Sequence, residues 1–187
     1  MRLRNDSEHW GGLAMGQHWV MALLIFTLFA LGWVAVGLPL SPLKLKLFHW
    51  HKSLGLLALV LLVLRVLWRL LDPAPRPVAG LAAWERYLAR SGHLLLYLLM
   101  LLMPLSGWLI NSAANFPFRP FGLFPLPDLV QPDKALQADL QLLHLSGFWL
   151  LAGLLVLHVA AALRHHFVKR NAVLRRMLPG RVRVSGE

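Results

Sequence analysis

Histidine is the only strong transition-metal ligand present in number in this sequence, which has nine histidines and no cysteine. Two of them, His144 and His158, bracket an uncharged apolar run. If this run is helical, the two rings lie about 21 Å apart along the helix axis and about 40° apart around it. One helix face then presents two imidazoles at two depths. This spacing suits two stacked haems, each held on one side by one of these rings.

The composition indicates that these histidines lie in a membrane protein. Of 187 residues, 58% are hydrophobic and 14% are charged, which is too apolar for an ordinary soluble domain of this size. Four runs are long enough to cross a bilayer, at approximately residues 17–38, 51–71, 92–111 and 144–166. The sequence therefore predicts an all-α integral membrane protein, a four-helix transmembrane bundle that forms a single domain over residues 1–187.

The basic residues indicate an orientation in the membrane. A net charge of +11 is typical of nucleic-acid binding, but these residues lie near the ends of the apolar runs, so we expect no nucleic-acid partner. With four spans, fourteen lysines and arginines fall on the side of the two termini and five on the other side. The positive-inside rule then places both termini in the cytoplasm.

This topology sets the depth of each candidate ligand. His18 opens the first span at its cytoplasmic end, and His51 opens the second at its outer end. In the fourth span, His144 lies at the outer end and His158 about two thirds of the way inward. Two level pairs result, His18 with His158 and His51 with His144. We predict that each pair supplies both axial ligands of one haem, a coordination suited to electron transfer.

Other polar residues near the cytoplasmic ends are weaker candidates. His93 opens the third span near the depth of His158, so it can replace His18 as a ligand, contact a haem propionate, line a quinone pocket or serve only as an interfacial anchor. Arg65 is placed to pair with haem carboxylates or to extend to the lipid headgroups. His165 is a candidate for a propionate or quinone contact, with a wet interfacial position as the alternative.

Glycines and lysines near the outer histidines have two interpretations each. Gly55 and Gly147 lie within one turn of His51 and His144, where glycine allows a porphyrin to approach the backbone or lets helices pack closely. Lys52 follows His51 directly. Lys52 and two other outer lysines are either simply solvated or in contact with lipid phosphate, or they form a cationic rim that attracts an anionic electron donor. The two others are Lys44 and Lys46.

Taken together, these residues resemble the prokaryotic cytochrome b561 family, which is related to the haem-carrying membrane subunits of hydrogenases and formate dehydrogenases. The resemblance covers nearly the whole chain. Its pieces are Gln-His18-Trp, His51-Lys-Ser-Leu-Gly55, Val-Leu-Arg65-Val-Leu-Trp-Arg69-Leu, Gly-His93-Leu-Leu-Leu-Tyr97, Pro104-Leu-Ser-Gly107, His144, Leu-His158-Val-Ala-Ala-Ala-Leu-Arg-His165-His166-Phe and Leu-Arg-Arg-Met-Leu-Pro179. One departure is Arg90, where family members can carry a further histidine.

The resemblance implies four helices and two b haems, with His18, His51, His144 and His158 as ligands in the pairing given above. It also implies electron exchange with ubiquinone in the inner membrane of a bacterium. Stand-alone members of this length look like superoxide oxidases, which take an electron from periplasmic superoxide and reduce ubiquinone. The expected partners are therefore membrane lipid, quinone, and superoxide or another redox donor.

Two alternatives remain open from the sequence. In the first, the chain is a cytochrome b subunit that receives electrons from a separate dehydrogenase subunit. In the second, it is a haem-free transporter lined with histidines. The predicted spans contain almost no carboxylates, which cation pathways generally use, and this argues against the transporter.

Overall fold

The computed structural model describes residues 2–178, and all regular structure in that range is helical. Four helices are each long and apolar enough to cross a membrane. They are α1 Gly12–Gly37, α2 Pro42–Leu71, α3 Ala83–Ala113 and α4 Lys134–Leu163. One π-helical turn, Arg164–Val168, continues α4. The predicted four-helix architecture is confirmed. Pro179, which ends the last piece of the resemblance, lies outside the described residues. Arg181 and Arg183, which were counted among the tail charges, lie outside them as well.

The helices pack in sequence order, with α1 against α2, α2 against α3, and α3 against α4. Small clusters of buried residues hold these contacts, one around Met21 and Leu62 and another around Leu99 and Leu151. Most large apolar side chains instead lie on the outside of the bundle. That distribution is unfavourable in water and is expected where lipid is the solvent.

Helix caps extend α2 and α4 well beyond the apolar runs. The Ser41 side chain accepts a hydrogen bond from Lys44 N at 3.3 Å at the start of α2. Asp133 Oδ1 accepts from the backbone of Ala135 at 2.8 Å at the start of α4. These two helices therefore begin nine and ten residues before the predicted spans, because polar caps rather than hydrocarbon thickness set their starts.

This extension places three histidines inside helices rather than at helix starts. His51, His93 and His144 each lie about two and a half turns after the first residue of their helix. The added turns lie between these rings and the ends of the bundle.

Both ends of the described chain lie at one end of the bundle. The Asn5 backbone donates to Asp72 Oδ2 at 3.0 Å, and the Arg76 backbone donates to the Ser7 carbonyl at 2.9 Å. Trp19 Nε1 donates to the Met177 carbonyl at 2.7 Å. The N-terminal segment, the α2–α3 link and the residues after α4 therefore meet there. The cytoplasmic assignment of that end remains a prediction.

The opposite end of the bundle is covered by the loop between α3 and α4. Ser53, which is fully buried, accepts a hydrogen bond from Phe121 N at 3.1 Å. Ser112 Oγ accepts one from Leu129 N at 3.1 Å. Phe121 has a positive φ of 53°, a left-handed conformation that side chains rarely adopt. These bonds fasten the loop over the end that carries His51 and His144.

Candidate haem sites

The structure brings the four predicted ligands together as two pairs. His18 of α1 and His158 of α4 have ring centres 6.2 Å apart and ring planes at 48°. His51 of α2 and His144 of α4 have ring centres 6.3 Å apart and ring planes at 73°. We call these the inner pair and the outer pair. Because α4 supplies one ring to each pair, the two sites lie at two levels of the bundle.

The ring separations fit a metal held between two imidazoles. A ligating nitrogen lies about 2.0 Å from a transition metal and the ring centre just over 1 Å farther out, so two opposed rings have centres roughly 6.3 Å apart. Both pairs meet this value. His93 also approaches His158, but at 5.5 Å between ring centres it lies too close to be the opposed ligand. The geometry therefore favours His18 over His93 as the partner of His158.

The donor set of each pair also fits a haem rather than a bare metal ion. The two helices that carry the inner pair, α1 and α4, also meet through aromatic side chains, with the Phe29 and Phe148 ring centres 4.6 Å apart. An apolar cleft also lies between α1 and α4, but neither His18 nor His158 lines it; the lining residues are Phe26, Phe29, Ala152, Leu155, Val156, Val159, Ala160 and Leu163. No group of three or more His, Cys, Asp or Glu side chains within residues 2–178 is arranged to hold a metal ion. Two imidazoles complete an octahedral iron only with four further ligands, which a porphyrin supplies.

Hydrogen bonds fix the orientation of both rings in the outer pair. His51 Nδ1 donates to the Leu28 carbonyl at 3.0 Å. His144 Nδ1 lies 2.8 Å from Ser106 Oγ, and that hydroxyl donates to the Met103 carbonyl at 2.9 Å, so it accepts from the ring. Both rings therefore carry their proton on Nδ1 and leave Nε2 free for a metal.

Glycines make room for the outer rings, although two of them are not those that the sequence pointed to. A Cβ added at Gly32 would lie 3.1 Å from His51 Cε1, and one at Gly107 would lie 3.6 Å from His144 Cε1. Gly55 borders open space, which is compatible with the approach of a cofactor. Gly147 faces Met103 Sδ at 2.7 Å from an added Cβ, so it serves the packing of α4 against α3.

The weaker candidates have different surroundings. His93 is exposed beside His158. Arg65 Nε donates to Tyr97 Oη at 2.9 Å, which joins α2 to α3. His165 Nδ1 accepts from Asn171 Nδ2 at 2.9 Å, so this nitrogen bonds within the residues that follow α4. The haem or quinone contacts of these three residues remain predictions.

The outer lysines are held more firmly than free surface charges. Lys52 Nζ donates to Asn111 Oδ1 at 2.8 Å and lies 4.7 Å from the centre of the Phe116 ring. Lys44 Nζ donates to the Leu38 carbonyl at 2.7 Å. The Lys52 charge therefore sits directly beside the outer pair, enclosed by the covering loop.

Sequence reasoning missed Ser106 and Gly32 as parts of the outer site. Ser106 lies in the quoted Pro104-Leu-Ser-Gly107 stretch, where a hydroxyl within an apolar span was the available signal. Gly32 lies in α1, whereas the ring that it accommodates belongs to α2. Only the tertiary contact between the two helices identifies it.

Comparison with known proteins finds one family and several relatives. A family model described as prokaryotic cytochrome b561 matches residues 9–180. Cytochrome b561 homolog 2 of Escherichia coli K12 is 37% identical over 180 residues, which is 95% of each chain. A Yersinia pestis protein named probable superoxide oxidase CybB is 32% identical over 172 residues, covering 89% of this chain and 94% of that protein. Cytochrome b561 homolog 1 of Escherichia coli K12 is 28% identical over 174 residues, covering 88% and 93%.

The family match covers most of the chain, and four helices able to span a membrane accompany it. A haem-free transporter is inconsistent with this match, because the family implies the binding of haem b. The chain therefore belongs to the prokaryotic cytochrome b561 family and is a multi-pass membrane protein of electron transfer that binds haem b.

Proposed function

We propose that this chain is a diheme cytochrome of the bacterial inner membrane that passes electrons from periplasmic superoxide to ubiquinone. The observation that carries the proposal is the presence of two facing imidazole pairs, with ring centres 6.2 and 6.3 Å apart, at two levels of one bundle. Residues 1–187 form one domain in this proposal, with both termini in the cytoplasm.

The role of the four histidines is to hold the cofactors and to restrict their chemistry. Haem b supplies reversible one-electron exchange at iron when it is bound. His18 with His158, and His51 with His144, would each hold one haem b through their two imidazoles. A haem held in this way would carry out electron transfer rather than oxygen binding.

The donor end of the proposed route is the end covered by the α3–α4 loop. Five cationic residues lie there against three aspartates within the described chain, and an excess of positive charge steers a small anion toward the site. The cations are Lys44, Lys46, Lys52, Arg119 and Lys134, and the aspartates are Asp128, Asp133 and Asp139. The name of the Yersinia pestis relative supports superoxide as that anion.

The proposed reaction balances as two one-electron oxidations and one two-electron reduction. Two superoxide anions each lose one electron and become dioxygen. Ubiquinone takes up these two electrons with two protons and becomes ubiquinol. The protein returns to its starting oxidation state after both electrons have passed.

Purified protein mixed with enzymatically generated superoxide and a short-chain ubiquinone tests this function. We expect rapid haem reduction and one ubiquinol for every two superoxide anions, with both signals abolished by superoxide dismutase. His158→Ala and His144→Ala are expected to abolish ubiquinol formation, because each removes an imidazole from one pair. If superoxide does not reduce the haem and an added dehydrogenase is required, the proposal is contradicted. That result would support a role as the cytochrome b subunit of a dehydrogenase.

A further inference from the structure

Two arginines near the inner pair have no acidic partner within residues 2–178. Arg65 and Arg69 lie one turn apart on α2, and neither takes part in any ion pair of the described chain. Arg69 lies over the Trp10 ring, 5.8 Å from its centre. Arg65 is half-buried inside the bundle. A cation in such surroundings is costly unless an anion accompanies it.

The two arginines border a small polar cavity between α1, α2 and the N-terminal segment. Trp68 also lines this cavity, and its indole Nε1–H is buried without a hydrogen-bond partner. Asp72 is the one carboxylate among the lining residues, and its Oδ2 already accepts from Asn5 N at 3.0 Å. The Trp68 indole has no partner and neither guanidinium is paired with this carboxylate, so the cavity offers unused donors and positive charge.

The Arg65 side chain is held so that its end faces this region. Its Nε donates to Tyr97 Oη at 2.9 Å, which leaves the two terminal nitrogens for another partner. Gln17, the residue directly before His18, lines the same cavity. The unmatched guanidinium therefore belongs to the surroundings of the inner pair.

The size of the cavity limits what can fill it. Its volume is about 20 Å³, which is room for one or two oxygen atoms but not for a quinone ring. Two terminal guanidinium nitrogens match the two oxygens of a carboxylate. The ligand chemistry that fits is an anionic oxygen group brought in at the end of a larger molecule.

We propose that Arg65 and the Trp68 indole bind one propionate carboxylate of the inner haem, with Tyr97 as a positioning residue. This inference rests on the proposed diheme function. The same chemistry is offered by a lipid phosphate, and the experiments below distinguish the two sources. The haem source is favoured because Arg65 is half-buried and bonded to Tyr97 within the bundle, whereas a headgroup approaches from the end of the bundle.

The first test is resonance Raman spectroscopy of the full two-haem protein, in which the propionate bending band reports hydrogen bonding to the carboxylate. We expect Arg65→Gln to shift this band and Trp68→Phe to shift it less. Arg90→Gln removes an exposed charge at the same end of the bundle and is expected to leave the band unchanged. An unshifted band in Arg65→Gln would overturn the inference.

The second test compares haem b with its dimethyl ester, which lacks the propionate charges. His144→Ala removes a ligand from the outer pair, so haem titrated into this full-length variant reports the inner pair. Adding Arg65→Gln is expected to weaken haem b binding about tenfold to hundredfold, as for a hydrogen bond to a charged group, and ester binding less than about threefold. Equal losses for both haems would overturn the inference.

The source of the anion is tested in nanodiscs of zwitterionic or anionic phospholipid. A propionate partner predicts the same Arg65→Gln effect in both membranes, whereas an effect confined to anionic lipid would assign the site to phosphate and overturn the inference. If haem b fails to bind the unmodified chain at all, the proposed function fails as well. Haem binding without any Arg65 effect would refute only the propionate contact.

Discussion

At the scale of single residues, the outer pair depends on groups that never touch the metal. Ser106 Oγ accepts a hydrogen bond from His144 Nδ1–H, and the Leu28 carbonyl accepts one from His51 Nδ1–H. Such bonds fix the tautomer and raise the basicity of the ligating nitrogen. The affinity of the outer pair for haem is therefore expected to depend on one hydroxyl of α3.

Replacing Ser106 with alanine tests this dependence. Loss of the hydroxyl frees the His144 ring and is expected to lower outer haem affinity about tenfold to hundredfold. The midpoint potential of that haem is expected to rise, because a less basic ligand stabilises ferric iron less. Haem titration and redox potentiometry measure the two effects.

A matched control is Ser146→Ala in α4, where the hydroxyl bonds only the Leu142 carbonyl of its own helix at 2.8 Å. This variant is expected to keep the affinity and potential of the unmodified protein. Equal behaviour of the two variants would show that the Ser106 bond to His144 has no part in haem binding.

A substitution at Gly32 tests how tightly the His51 ring is packed against α1. An alanine Cβ there would lie 3.1 Å from Cε1 of a ring that is also bonded to Leu28. The ring must shift, so Gly32→Ala is expected to lower outer haem content markedly, by the mechanism of overpacking. Gly37→Ala on the same helix meets open space and is expected to retain full content in a haem-to-protein assay.

Residue types and helical spacing were enough to predict which histidines face each other. The spacing of His144 and His158 and the direction of each span gave two level pairs, and ring separations of 6.2 and 6.3 Å accord with them. Ser106 and Gly32 lay beyond such reasoning, because each acts on a ring from another helix. Their roles depend on how closely two helices approach, which spacing along one chain does not specify.

At the scale of helices, the starts of α2 and α4 follow from local sequence, but the contacts between helix ends do not. Ser41-Pro42 and Asp133 are capping signals that could be read directly. The partners of Glu85 could not be predicted from local sequence. This carboxylate near the start of α3 contacts Lys169 Nζ at 2.6 Å and Arg164 Nη1 at 3.1 Å, beyond the end of α4.

Glu85→Gln tests whether these contacts hold α3 and α4 together at that end. The Glu85 side chain is only 4% exposed, so its loss leaves two cations close together without their shared anion. We expect the thermal unfolding midpoint in detergent to fall by several degrees. Glu8→Gln, whose side chain is 54% exposed beside Arg176, is expected to change it little. Equal midpoints for both variants would contradict a stabilising role for Glu85.

At the scale of the whole molecule, the orientation in the membrane decides which pair meets the periplasm. The chain has no cysteine, so single cysteines introduced at the two ends report it directly. In intact cells, Ser7→Cys is expected to resist a membrane-impermeant thiol reagent and Asp128→Cys to react. The opposite pattern would place the outer pair in the cytoplasm and exclude periplasmic superoxide as its donor.

The central claim is that each imidazole pair holds one haem b. A pyridine haemochrome assay of the purified chain, calibrated against protein concentration by amino-acid analysis, measures this directly. We predict two b haems per chain in the unmodified protein and one in His144→Ala. A single haem, or none, in fully loaded unmodified protein would contradict it.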